Sequence, residues 1–307
     1  MLRYALLRLL GAIPTLLLVI VLAFLMVHAA PGGPFDDERA LPPEIEANIA
    51  AAYNLDEPLH QQFLSYMSGL MRGDLGPSYR YRDHTVSELI GAAFPLSLKI
   101  GALAMLLALI VGIGIGTAAA LRKDSLLDRA VMAVAMTGIS IPVFVIAPVL
   151  VLFFAVRMQW LPAGWSASSG AGRFILPVIS LALPQIAYIA RLTRASMIEV
   201  LSSDFVRTAR AQGLGTATIV RLHALKPSML PVLSYMGPAI AAILTGSVVV
   251  EEIFGIPGLG QHFVRGALNR DYTLVLGIVI FYAALVVLLN LIVDLLYGVI
   301  DPRIRRR

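Results

Sequence analysis

The sequence predicts an all-α polytopic membrane protein with six transmembrane helices and a small helical insert after the first. Three observations carry that prediction. Apolar residues make up 58% of the 307 residues and charged residues 14%, against roughly 25% charged in soluble domains. Several apolar windows reach the roughly 20 residues that a helix needs to cross a hydrocarbon core about 30 Å thick. The basic residues fall between those windows, so the net charge of +5 reads as cytoplasmic loops and not as a nucleic-acid surface.

The first span is expected over Leu9–Ala29. Val27-His28-Ala29 also reads as a signal-peptide cleavage site, but the apolar run exceeds the usual core of about 7–15 residues. The segment is therefore expected to remain as an anchor, within an N-terminal region 1–30. An insert covers 31–94, rich in acids from Asp36 to Glu88. Pro43-Glu44 suits a helix start, with Ile45, Ile49, Ala52 and Tyr53 at helical spacing. A second insert helix is expected from Pro58, with Leu59, Phe63, Tyr66, Met67 and Leu70 on one face and Gly73 and Gly76 ending it.

The transmembrane domain proper is expected over 95–300, with a tail at 301–307. Its spans are Leu96–Leu121, Ala130–Val156, Phe174–Leu192, Leu230–Val250 and Leu274–Ile300. Gly112, Gly114 and Gly116 place small residues on the second span and permit close helix approach. Lys99 is expected to snorkel toward the outer interface. Pro142, Pro148, Pro177, Pro184 and Gly237-Pro238 interrupt later spans, which bundled membrane helices tolerate. Asn290 and Asp294 lie four apart and share a face. Asp294 is a candidate either for the substrate path or for a polar contact between helices.

Positive charge sets the orientation. With the N-terminus inside, the inner segments hold fifteen basic residues and the outer segments eight. Both termini are therefore expected in the cytoplasm.

Motif chemistry argues against an enzyme. The chain has no cysteine, hence no thiol nucleophile, disulfide or cysteine metal site. It has no Gly-x-x-x-x-Gly-Lys-Ser/Thr phosphate loop and no Gly-x-Ser-x-Gly elbow. His28, His60, His84, His223 and His262 are scattered without zinc-ligand spacing. No metal or cofactor is expected on this chain.

The distinctive segment is polar and lies between the fourth and fifth spans. It reads Phe205-Val206-Arg207-Thr208-Ala209-Arg210-Ala211-Gln212-Gly213-Leu214 and continues through His223-Ala224-Leu225-Lys226-Pro227 to Leu230-Pro231. Gly213 supplies a turn between two short helices, because glycine takes backbone conformations that other residues resist. Leu214, Ile219 and Leu222 are expected to pack the resulting knob, leaving Arg207 and Arg210 for acids on a partner.

This segment resembles the coupling loop of type I ATP-binding-cassette importer permeases. Gly213 and Ala209 match the general motif, while Arg207 and Thr208 depart from it toward the version of the oligopeptide/dipeptide/nickel branch. Asn54-Leu55-Asp56-Glu57-Pro58, Gly73-Asp74-Leu75-Gly76-Pro77-Ser78, Glu251-Glu252-Ile253-Phe254-Gly255-Ile256-Pro257-Gly258-Leu259-Gly260 and Arg270-Asp271-Tyr272 resemble other parts of that branch, as do Ala30-Pro31-Gly32 and Asp301-Pro302-Arg303. The B-type membrane subunit of oligopeptide permeases is the best match. The resemblance implies a multi-pass protein of the bacterial inner membrane that does not hydrolyse ATP itself. It also implies a second homologous permease, two ATPase subunits that carry ATP and magnesium, an extracytoplasmic peptide-binding protein and an oligopeptide substrate. By the same resemblance, Arg207, Thr208, Ala209, Arg210, Gln212, Gly213 and Leu214 form the ATPase-coupling loop. Glu251 and Glu252 are candidates to attract a peptide amine at the outer mouth, or else they cap a loop. A dipeptide or nickel permease of the same branch is the alternative. A secondary transporter driven by ions is the alternative from another class.

Overall fold

The computed structural model describes residues 2–29, 57–81 and 83–300, with the side chains of 2–9, 167–169, 294 and 296–300 left aside. The expected helix over Ile45–Tyr53, residues 31–56 of the insert and the 301–307 tail lie outside the described residues. Every regular element among them is helical. They are α1 (Leu2–Ala29), α2 (Leu59–Met71), α3 (Val86–Leu121), α4 (Leu126–Ser140), α5 (Val143–Leu150, running on as a π-helix through Val151–Arg157), α6 (Ile175–Leu201, entered from a 3-10 segment at Ala167–Phe174) and α7 (Asp204–Ala211). Next comes α8 (216–228), built from Thr216–Thr218, the π-helical Ile219–Ala224 and Leu225–Ser228. The chain ends through α9 (Leu230–Phe254), α10 (Leu259–Leu268) and α11 (Tyr272–Ile300).

Five helices are long and apolar enough to span a membrane, or six if the bent pair α4–α5 counts as one. The interruption expected at Pro142 within the third span, Ala130–Val156, is a sharp bend, for the two helices meet at 106°. The cause is local. A proline disfavours the helical region in the residue before it, and Ile141 accordingly sits at φ −90°, ψ 120°. Pro142 then starts the next helix from extended geometry, at φ −62°, ψ 146°. The second span also begins ten residues earlier than expected. Thr85 and Glu88 form a reciprocal cap there: Glu88 N–H donates to Thr85 Oγ1 at 3.2 Å, and Thr85 N–H donates to Glu88 Oε2 at 3.0 Å.

The chain divides into two compact units. One comprises Leu10–Leu96 and Pro257–Val287. In it, Phe63, Tyr66, Met67 and Leu70 of α2 pack on a buried cluster of Ile20, Phe24, Leu276 and Ile280. The predicted stripe of α2 thus meets α1 and α11, except for Leu59, which is exposed. Gly73 ends α2 with φ +78°. A second cluster gathers Val86, Ile90, Ala93, Leu259, Leu274 and Ile278. Buried Asp271 binds this unit together. It caps α11 by accepting from Leu274 N–H at 3.2 Å, and it accepts from the N–H groups of Tyr79 and Arg80 and from Ser78 Oγ.

The other unit holds Ser97–Ile256 and the two chain ends, Met1–Leu9 and Leu288–Arg307. Helix α3 lies tight on α6 here. A Cβ at Gly116 would fall 2.5 Å from the Ala190 carbonyl oxygen, and one at Gly112 would fall 2.9 Å from Ile189 side-chain carbons. Gly114 has open space around it, so the close approach belongs to the pair four apart. Lys99 is exposed, its Nζ 4.4 Å from the Phe174 ring centroid. Asn290 of α11 packs its amide over Gly237 of α9, leaving no room there for a Cβ.

Candidate docking site around Gly213

The polar segment folds as a helix, a glycine turn and a second helix. Ser203 starts α7 from extended geometry, and its carbonyl accepts from Arg207 N–H at 3.1 Å. Asp204 in the first turn suits the positive end of the helix dipole. The far end closes on Gly213, which has φ +82°. Gly213 N–H donates to Arg210 O at 2.9 Å, and Leu214 N–H donates to Ala209 O at 3.2 Å. This bond pair is a Schellman closure, which requires a left-handed residue at its centre.

Packing decides which face is left over. Val206, Ala209 and Ile219 are buried together, with Val200, Leu201 and Leu214 against them. A neighbouring cluster of Ala120, Met197 and Ala224 joins the ends of α3 and α6 to α8. The knob therefore packs directly on the ends of α3 and α6. Leu214 and Ile219 pack the knob as expected, whereas Leu222 is 64% exposed. The reason is the π-helical turn at Ile219–Ala224, which shifts the side-chain register on which the sequence argument relied.

The outward face carries Phe205 and Leu222 as large apolar side chains, with Arg207, Thr208, Arg210, Gln212, Arg221 and His223 also exposed. Phe205 was not singled out from the sequence. A helical wheel sets it about 40° from buried Ala209, so the local pattern gave no sign of its exposure. Arg207 pairs with Asp204 one turn back on the exposed surface, a contact of small energetic value that a partner carboxylate can replace. Thr208 Oγ1 donates to the Asp204 carbonyl at 3.0 Å, and Arg210 remains exposed. The exposed surface of α7 and α8 thus carries two large apolar side chains and several cations.

The remaining candidates lie elsewhere. Glu251 is fully buried near the end of α9, while Glu252 is exposed. Both carbonyls cap the helix, accepting from Ile256 N–H at 2.8 Å and Gly255 N–H at 3.2 Å. A fully buried Glu251 does not fit the idea of two acids at an open mouth, so only Glu252 keeps the exposure such a role needs. Asp294 lies on α11 and its side chain is outside the described residues. Its neighbour in the predicted pair, Asn290, makes the interhelical contact with Gly237.

An ion pair also ties α4 to α6. Arg194 of α6 binds Asp128 of α4 in a two-pronged contact, with Nη2 at 2.7 Å from Oδ2. The Asp128 side chain is 2% exposed and also accepts from Asp124 N–H at 2.9 Å. Asp128 N–H in turn donates to Ser125 Oγ at 3.2 Å, which caps α4.

Comparison with known proteins agrees with this architecture. The family model described as binding-protein-dependent transport system inner membrane component matches residues 110–306, and the model of its N-terminal part matches 1–100. The oligopeptide transport system permease protein OppB of Salmonella typhimurium is 56% identical over 99% of this chain and 100% of its own length. OppB of Escherichia coli is 54% identical over the same shares. The dipeptide transport system permease protein DppB of Bacillus subtilis is 40% identical over 99% of this chain and 98% of its own. Among solved structures, the inward-facing MetNI methionine ABC transporter matches with a TM-score of 0.56 at 17% identity, covering 69% of this chain and 96% of that one. An amino acid ABC transporter matches with a TM-score of 0.51 at 19% identity, covering 71% and 94%. These two likenesses show the fold, and the sequence matches show the family: the chain belongs to the inner membrane components of binding-protein-dependent transport systems.

Proposed function

We propose that this chain is one of two permease subunits of an ATP-driven oligopeptide importer. The observation that carries the reading is its end-to-end similarity to oligopeptide permease subunits, 56% identical over 99% of the chain. Two ATPase subunits bind ATP and magnesium, and an extracytoplasmic binding protein delivers the peptide. The path runs between this chain and a homologous second permease. Both termini of this chain face the cytoplasm, as its distribution of basic residues supports.

The knob is the mechanical input. Phe205 and Leu222 seat in a cleft of one ATPase, with Arg207, Arg210 and Arg221 meeting its acids. When the ATPases close on nucleotide, the knob is displaced. The packing of Met197, Ala120 and Ala224 supports a stiff transfer of that movement to α3 and α6, giving alternating access.

A dipeptide substrate is the second reading, favoured by the 40% identity to a dipeptide permease subunit. Reconstituting the full complex and measuring ATP-dependent uptake of a dipeptide, longer peptides and nickel separates the possibilities. Uptake of longer peptides is the expected result. Uptake restricted to dipeptides or nickel overturns the substrate assignment, and uptake driven by an ion gradient without ATPases overturns the whole reading.

A further inference from the structure

Helix α6 carries Gln185, Tyr188 and Arg191 three apart, so they form one stripe. Tyr235 of α9 meets it. The rings of Tyr188 and Tyr235 stack, with centroids 4.2 Å apart and planes inclined by 14°. The Tyr235 hydroxyl donates to Gln185 Oε1 at 2.8 Å. The Arg191 guanidinium lies over the Tyr188 ring, 4.7 Å from its centroid. Gln185 is buried, while Tyr188, Arg191 and Tyr235 are each half-buried. The ladder is thus buried at its amide end and partly exposed from the rings to the guanidinium.

Charge inside a span is costly, and such groups pair with one another or line a watery cavity. The two arginines of α6 resolve this differently. Arg194 is matched by Asp128. Arg191 has no carboxylate at ion-pair distance among the described residues. It also lies ten residues before the end of α6 at Leu201, which is about 15 Å along the helix axis. The ring beneath it offsets part of the cost of burial. The guanidinium itself is a planar fork of donors, able to bind a carboxylate with two hydrogen bonds.

A peptide carrier must accept many side chains, so it does best to hold what every peptide has. The terminal carboxylate is such a group, and flat aromatic faces tolerate varied apolar neighbours. We propose that Arg191, laid on the Tyr188–Tyr235 stack and oriented through Gln185, receives the C-terminal carboxylate of a peptide in transit. This rests on the peptide-import reading above. A snorkelling arginine on a lipid phosphate would use the same anion chemistry, and the test separates the two.

The test uses the complete complex in proteoliposomes and one peptide sequence supplied as free acid and as C-terminal amide. Arg191→Gln is expected to cut free-acid uptake about tenfold, the worth of a charged hydrogen bond, and to leave amide uptake within about twofold. Arg191→Lys should restore part of the loss. A photoreactive group at the peptide C-terminus should crosslink to the segments around 188–191 and 235, and the free acid should compete better than the amide. This second readout does not depend on how well the binding protein delivers the amide. Equal loss for both peptides, no loss for either, or no crosslink overturns the proposal. So does a loss that follows the content of anionic lipid and ignores the peptide terminus. If the wild-type complex moves no peptide at all, the import reading falls and this inference with it. If wild type transports and the variant does not discriminate, this inference alone falls.

Discussion

Gly213 holds φ +82° with open space around the position where a Cβ would sit, so its requirement is conformational and not steric. A side chain there is strained by about 1–2 kcal/mol in the left-handed region, and proline would also delete the N–H that bonds Arg210 O. Gly213→Pro is expected to leave the protein in the membrane while separating ATP hydrolysis from uptake. Arg207→Glu should do the same by repelling partner acids. Wild-type uptake per hydrolysed ATP at matched abundance, in either variant, would falsify the docking assignment. His262 offers a different reading at this scale. It is half-buried on α10 with its ring edge-on to Tyr81, and burial, with Arg265 nearby, pushes its pKa below the usual histidine value. Its contribution to stability is therefore complete above about pH 6.5 and is lost as pH falls toward the lowered pKa, because the unfolded chain binds the proton more readily. His262→Phe should flatten that part of a profile of melting temperature against pH; an unchanged profile counts against this account.

Among the elements, the helix contacts rest on a few close approaches. Gly116 faces the Ala190 carbonyl and buried Thr193, so Gly116→Ala overpacks a backbone contact and should cost about 1–3 kcal/mol. Gly114→Ala, which meets nothing within 4 Å, serves as the neutral control. Thermal unfolding in detergent distinguishes them, and equal melting would refute the α3–α6 packing. The Asp128–Arg194 contact joins the start of α4 to α6, with the carboxylate buried and the guanidinium partly exposed. Asp128→Asn removes the charge partner of a guanidinium that is still 24% exposed and should destabilise by about 1–3 kcal/mol. The exchange of both residues, Asp128→Arg with Arg194→Asp, should recover part of that loss; no recovery would mean that the pair acts through something other than its charges.

For the whole molecule, the exposed apolar surface is the clearest clue to its surroundings. Leu18 and Met26 on α1, Val134 and Met136 on α4 and Phe144 on α5 are all more than half exposed. In water such surface is an association hazard, whereas a bilayer or a sister permease covers it without penalty. On the proposed function, the purified chain alone in liposomes is expected neither to hydrolyse ATP nor to carry peptide, with uptake appearing only when the ATPases and the other partners are added. ATP hydrolysis by the isolated chain would remove the division of labour on which the proposed function stands.

Composition and apolar run length were enough to establish the membrane class and the approximate positions of the spans, because the bilayer imposes one length on any helix that crosses it. Gly213 and the order of residues around it marked the knob for the same kind of reason, since a left-handed turn admits few residue types. The capping box at Thr85 and Glu88 was legible too, though the apolar pattern drew the eye to Leu96 instead. Other features appeared only with tertiary structure. Pro142 announced an interruption but not an angle of 106°, for the angle depends on what each half packs against. The burial of Glu251, the exposure of Leu222 and the meeting of Tyr235 with Tyr188 are set by neighbours distant in the chain. Local pattern constrains the backbone a few residues at a time, whereas burial and partnership depend on which faces meet, and that is settled only when the helices pack.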